Sequence, residues 1–316
     1  MSGRIDGGAM AAAREGQTFS GESLFTRYAS FVKLPHTLFA LPFAGVGAVL
    51  AARDHPRAVT PAALIWIVLA FTAARFSAMG FNRIVDRRFD AENPRTRMRE
   101  LPSGRLSVLQ AGSAVTVAAL LFVFAAFQLN RLCGFLAPLA LVWVLFYSYT
   151  KRFTQWAHPA LGLALGIAPV GGYLAIAGEW STPWYALVVL AAAVTFWVAG
   201  FDIIYSLQDV DYDRKRGLHS IAARQGPRRA IAVARLFHVI AVVLFAAIRL
   251  LGLFPVGNVY VAGVAVMAGL LVYENVVAGG ASETPDLATI DRAFFRSNIA
   301  VSLSLFAFTL IDYLLR

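Results

Sequence analysis

Apolar positions in this chain fall into nine long runs, at roughly 34–52, 60–82, 107–129, 132–150, 158–178, 183–206, 230–252, 256–277 and 294–315. The breaks are polar or marked by Pro and Gly: Arg53-Asp54-His55-Pro56, a long 83–106 segment, Asn130-Arg131, Lys151-Arg152, Glu179 to Pro183, a long 207–229 segment, Gly252 to Pro255, and 278–292. A bilayer core of roughly 30 Å needs about 20 apolar residues per helix, and several runs reach that length. Lipid offers no hydrogen bonds to a bare backbone, so each run is predicted to be a helix. The expected fold class is therefore an all-α integral membrane protein with nine transmembrane helices.

Composition agrees. Of 316 residues, 59% are hydrophobic and 15% charged, against about 25% charged in soluble domains. The net charge of +10 is read as topology, because no basic stripe interleaved with aromatics lies outside the runs. Nucleic acid is thereby set aside as a partner, and the lipid bilayer takes its place. Segment 83–106 carries seven arginines and 207–229 carries six Arg or Lys, with Lys151 and Arg152 between spans four and five. The alternate connections are poor in both. Even-numbered connections are thus expected to be cytoplasmic, the N-terminus inside and the C-terminus outside. Residues 1–23 lack an apolar core and are read as a disordered cytoplasmic tail rather than a cleaved signal, with 24–316 as one membrane domain. The single cysteine, Cys133, allows no intramolecular disulfide and is read as packing. Both long cytoplasmic segments open with acids and continue with bases. This suggests a pseudo-repeat of two four-helix halves plus a ninth helix.

Candidate chemistry sits at those two openings. Asn82, Asp86 and Asp90 are spaced four apart, as are Asp209 and Asp213. On a helix that spacing puts each set on one face. Like charges so placed repel, and a divalent cation turns the repulsion into binding; Mg²⁺ takes one or two carboxylates together with phosphate oxygens and water. Asp202 lies seven before Asp209 and Tyr205 four before it, which adds both to the second face, whereas Asp211 points elsewhere. A carboxylate such as Asp202 at the edge of a span is costly and marks function. Arg95 and Arg99 share the four-residue spacing and bring planar guanidinium forks suited to phosphate. Arg75 lies inside span two, seven before Asn82, where it needs a partner or a ligand. Tyr147 and Lys151 close span four on the same side, and Lys33 opens span one. His36 and His158, beside Pro35 and Pro159, are read as interface residues.

This ordered set resembles the UbiA superfamily of intramembrane aromatic prenyltransferases over about residues 30–315. The resemblance is carried by Asn82-x-x-x-Asp86-x-x-x-Asp90, by Asp202-x-x-Tyr205-x-x-x-Asp209-x-x-x-Asp213, by the Arg95 to Gly104 run and by Tyr147-x-x-x-Lys151. It implies nine helices around a central cavity with both acidic motifs at its cytoplasmic mouth. It implies Mg²⁺ at Asp86, Asp90, Asp209 and Asp213, with diphosphate contacts from Asn82, Arg95, Arg99 and Lys151. Many relatives have Asp directly after the motif Asn, where this chain has Arg83. The stretches His36 to Phe43 and Gly200 to Tyr205 are similar to the 4-hydroxybenzoate polyprenyltransferase branch, in a bacterial subgroup. That likeness implies a multi-pass protein of a bacterial-type inner membrane. Its substrates would be a polyprenyl diphosphate and 4-hydroxybenzoate, or a dihydroxynaphthoate on the menaquinone route. Tyr147 is then placed to steady an allylic cation, and Arg75 or Lys33 to hold the acceptor's carboxylate. The rival from another class is a transporter, which would put its charges near the bilayer midplane.

Overall fold

The computed structural model describes residues 23–34, 37–280 and 287–316, and only the backbone for 38, 39, 279, 280 and 287–295. The predicted tail, apart from Ser23, lies outside the described residues, and so does His36. All regular structure among the described residues is helical. The helices are α1 (Leu24–Phe31), α2 (Thr37–Ala52), α3 (Pro61–Glu92), α4 (Val108–Leu129), α5 (Arg131–Thr150), α6 (Ala157–Ala177), α7 (Tyr185–Ser206), α8 (Val210–Arg216), α9 (Ile221–Gln225), α10 (Pro227–Leu250), α11 (Asn258–Gly280) and α12 (Leu287–Leu314).

Eight of these are long and apolar enough to cross a membrane: α3 to α7 and α10 to α12. The first predicted run appears as α2, an apolar helix of 16 residues that falls short of the others. Local chemistry sets the boundaries. Thr60 caps α3 by accepting from the Ala63 amide, with Pro61 in the first turn, where its missing N–H costs nothing. Ser107 and Gln110 form a reciprocal capping box at the start of α4. Gly178 closes α6 at φ 72°, a left-handed conformation that side chains disfavour.

Small residues set the tightest helix contacts, as expected where apolar lipid supplies no hydrophobic drive between helices. Gly47 on α2 lies against the Pro169 carbonyl of α6, and Gly172 on α6 lies against the Ala44 carbonyl of α2. Gly162 and Gly166 likewise bring α6 against the Thr195 and Ala191 backbone of α7, though less closely. Above these contacts Phe43 meets Trp197 at 4.7 Å and Phe245 at 6.2 Å between ring centroids, which joins α2, α7 and α10. Large apolar side chains such as Leu109, Phe135, Leu139 and Leu250 stand exposed on the outside. A soluble protein would bury them; lipid accepts them.

Two departures from the expected layout bear on the site. Helix α3 does not end with its apolar run but continues to Glu92, so its acidic face belongs to the spanning helix itself. The second acidic stretch is broken: α7 stops at Ser206, a single 3₁₀ turn covers Leu207–Asp209, and α8 follows. A cavity of about 530 Å³ opens among the helices. Its described wall comes from α2 to α8 and their connections, while α10, α11 and α12 contribute none of it. They pack behind instead, α10 on α7 and α12 on α2 and α11. Of the nine helices expected around one cavity, those that line it among the described residues lie within α2 to α8.

Candidate active site

One end of the cavity is apolar, lined by Ala44, Ile67, Phe71, Phe122, Leu129, Leu136, Leu165 and Leu174. The other end is polar, and it collects the residues singled out from the sequence. Lys33, Arg75, Asn82, Asp86, Asp90, Arg95, Arg99, Tyr147, Lys151, Asp202, Tyr205, Asp209 and Asp213 all line the same space. Asp211 is exposed and takes no part.

Four carboxylates at this end each hold one cation. Asp209 is gripped by Arg95 through Nε to Oδ1 at 2.9 Å and Nη2 to Oδ2 at 2.5 Å. Asn93 donates to the same Oδ1 at 3.0 Å. Arg99 donates from Nη1 to Asp90 at 2.7 Å. Lys151 meets Asp213 at 2.9 Å. Arg152 meets Asp86 at 3.1 Å, and Asn82 donates to the other oxygen of Asp86 at 3.1 Å. Tyr205 joins the set by accepting from Arg95 Nη1 at 3.1 Å, with the guanidinium 5.4 Å from its ring centre. The 93–107 segment is what makes this possible. It turns back from the end of α3, pinned by Thr96 donating to the Asp90 carbonyl at 3.0 Å, and so swings Arg95 across to Asp209.

Charges of both signs at such density suit an anion that arrives with its own cation. The donor set also fits Mg²⁺. Asp90 keeps Oδ2 buried without a hydrogen-bond partner while Oδ1 takes Arg99. Among the described residues no three acids or imidazoles sit close enough to hold an ion alone. An ion here needs further oxygens, as Mg²⁺ with a phosphate ligand does.

Several placements differ from expectation. Arg75 finds a partner in the backbone, its Nη1 donating to the Val32 carbonyl at 3.3 Å. Arg95 and Arg99 do not share a helix face, since they lie in the turns after α3, yet each finds an aspartate. His158 is not an interface residue. It is buried in the first turn of α6, with Nδ1 2.7 Å from Asp202. Arg83 is buried on α3 and lines the cavity, with Nη1 lacking a partner. Nearby Glu100 is buried too, and burial pushes its carboxyl up from the ordinary range. Asn93, Arg152 and His158 also line the cavity, which spacing alone did not reveal. For Arg152 the adjacent Lys151 is a usable hint; for Asn93 none is visible.

Comparison with known proteins points the same way. The UbiA prenyltransferase family model matches residues 40–299. A polyprenyl transferase of Arthrobotrys oligospora is 35% identical over 182 residues, covering 56% of this chain; the chain spans about half the length of that relative, 49%. A 4-hydroxybenzoate octaprenyltransferase of Nitrosospira multiformis is 30% identical over 274 residues, covering 85% of this chain and 88% of that one. Among solved structures, an apo UbiA homologue from Aeropyrum pernix K1 superposes with TM-score 0.77 at 34% identity, covering 88% and 98% of the two chains. A UbiA homologue from Archaeoglobus fulgidus bound to DMAPP and Mg²⁺ shares the fold, with TM-score 0.63 at 17% identity, covering 89% of this chain and 99% of that one. With its multiple spanning helices and its polar-ended cavity, the chain belongs to the UbiA prenyltransferase family.

Proposed function

We propose that this prenyltransferase moves a polyprenyl group from polyprenyl diphosphate to the ring of 4-hydroxybenzoate, in ubiquinone-type quinone synthesis and with Mg²⁺ as cofactor. The observation that carries the reading is the four carboxylate–cation pairs at the polar end of an otherwise apolar cavity. Such an end suits a diphosphate, and the apolar remainder suits an isoprenoid chain. The Archaeoglobus fulgidus homologue was solved with a prenyl diphosphate and Mg²⁺, and the Nitrosospira multiformis relative is named for 4-hydroxybenzoate. Both lend support.

In this reading Asp86, Asp90, Asp209 and Asp213 hold Mg²⁺, which neutralises the leaving diphosphate when bound. Arg95, Arg99 and Lys151 turn from carboxylate to phosphate oxygens, and Asn82 donates alongside them. These fixed donors meet the charge that develops on the leaving group as the allylic C–O bond opens. Tyr147 faces the cation left behind. Arg75, with Lys33 nearby on the wall, takes the acceptor carboxylate, and the apolar walls exclude water that would quench the cation. A dihydroxynaphthoate also offers a carboxylate and an electron-rich ring, so it is the second candidate acceptor. We further assign α2 as a ninth span, retain the two four-helix halves, and place the polar mouth and the N-terminus on the cytoplasmic side of a bacterial-type inner membrane with the C-terminus outside. The transporter reading is set aside by the family.

The test is a membrane assay with Mg²⁺ and one labelled prenyl diphosphate, comparing 4-hydroxybenzoate, dihydroxynaphthoates and homogentisate. Prenylated 4-hydroxybenzoate is the expected product. Product from a dihydroxynaphthoate alone would move the acceptor assignment, and no product from any aromatic acceptor would sink the reading.

A further inference from the structure

Four cavity carboxylates are matched by Arg or Lys, and a fifth is not. Asp202, on α7, pairs with no arginine or lysine among the described residues. Its partner is His158 on α6, with Nδ1 2.7 Å from Oδ2. The imidazole is buried, at 4% side-chain exposure, and its Nε2 has no hydrogen-bond partner among the described residues. Asp202 keeps 24% exposure although its neighbours Phe201, Ile203 and Ile204 are buried. Both members of the pair line the cavity, so the free surface of the carboxylate opens onto it. An acid neutralised by no fixed cation and steadied by one imidazole is poorly suited to diphosphate and well suited to a proton.

Resting on the proposed transfer to an aromatic ring, we propose that Asp202 accepts the proton that the ring gives up, with His158 as the residue that positions it. The balance is as follows. The allylic C–O bond breaks, and diphosphate leaves with the electron pair. A pair of ring π electrons forms the new C–C bond to the allylic carbon. That ring carbon now bears both the prenyl group and its hydrogen. Its C–H bond breaks, the electron pair returns to the ring, and the proton passes to the cavity-facing oxygen of Asp202. The imidazole, with Nδ1 2.7 Å from the other oxygen, holds the carboxylate in line.

The experiment compares wild type, Asp202→Asn, His158→Leu and His158→Asn, using 4-hydroxybenzoate with hydrogen or deuterium at the attacked ring carbon. Removing a positioned general base costs typically about 10²–10⁴-fold, and a loss of kcat in that range is expected for D202N. Binding of prenyl diphosphate with Mg²⁺ should stay at the wild-type level. A primary isotope effect should appear in D202N and be small in wild type, because loss of the ring proton becomes the slow step. H158L should lose less, and H158N, whose amide nitrogen can stand where Nδ1 stood, should recover most of it. Wild-type kcat in D202N overturns the assignment, and so does a loss without an isotope effect, which would mark the pair as a mere tie between α6 and α7. If D202N fails to bind the donor, the H158L and H158N pair decides by the same isotope readout. Product from wild type with unaltered variants defeats this inference alone; no product from wild type with either 4-hydroxybenzoate or a dihydroxynaphthoate defeats it together with the transfer reading.

Discussion

Replacing Asp209 with alanine is expected to lower prenyl transfer at saturating Mg²⁺ by at least the roughly 10²–10³-fold that loss of one preorganised charge-stabilising group costs. Asp209 is the most heavily bonded acid of the site. It takes two hydrogen bonds from Arg95 and one from Asn93. Its removal takes away a carboxylate of the proposed metal site and also takes from Arg95 the carboxylate that grips it. The guanidinium loses its alignment before any diphosphate arrives, so two groups fail at once. Asp209→Asn keeps the size and one acceptor oxygen and is expected to fall nearly as far, because the charge is what Mg²⁺ needs. Thermal unfolding in detergent serves as the control, since breaking a buried ion pair is itself destabilising by about 3–5 kcal/mol where burial is complete. A folded D209A with near-normal turnover would remove Asp209 from the metal site.

What the chain disclosed before its structure came from short-range period where a helix runs unbroken. Apolar run length gave eight helices of spanning length at the expected places, and four-residue spacing put Asn82, Asp86 and Asp90 on one wall of the cavity. What stayed hidden has physical causes. Hydropathy ends where Asn82 and Arg83 begin, yet α3 continues to Glu92, because backbone hydrogen bonding is indifferent to the polarity of the side chains it carries. The union of Arg95 with Asp209 spans 114 positions, beyond any local pattern. His158 beside Pro159 marked the start of a run and so read as a boundary, but a first-turn residue points inward when its helix packs on the cavity side. Which helices wall the cavity was also hidden. An apolar run does not say which of its faces meets a cavity and which meets a neighbouring helix.

Changing Gly172 to alanine should cost stability at the upper end of the about 1–3 kcal/mol that overpacking costs, read as a lowered midpoint of thermal unfolding in detergent. A Cβ there falls on the Ala44 carbonyl oxygen, and one at Gly47 falls on the Pro169 carbonyl. Each clash is with backbone, so no neighbouring rotamer can relieve it and α2 must separate from α6. For the same reason Ala44→Gly should not rescue G172A, since the opposing atom is a carbonyl oxygen that glycine also carries. Function should fall with stability, because Ala44 and Gly172 both line the cavity and separating their helices opens the wall that keeps water out. Gly171 supplies the internal comparison. It sits one position earlier on the same helix, lines the same cavity and has nothing within 4 Å of its added Cβ. Gly171→Ala should therefore be neutral, or stabilising by up to about 1 kcal/mol through helix propensity. Equal unfolding midpoints for the two variants would show that close approach of α2 and α6 does not hold this part of the bundle together.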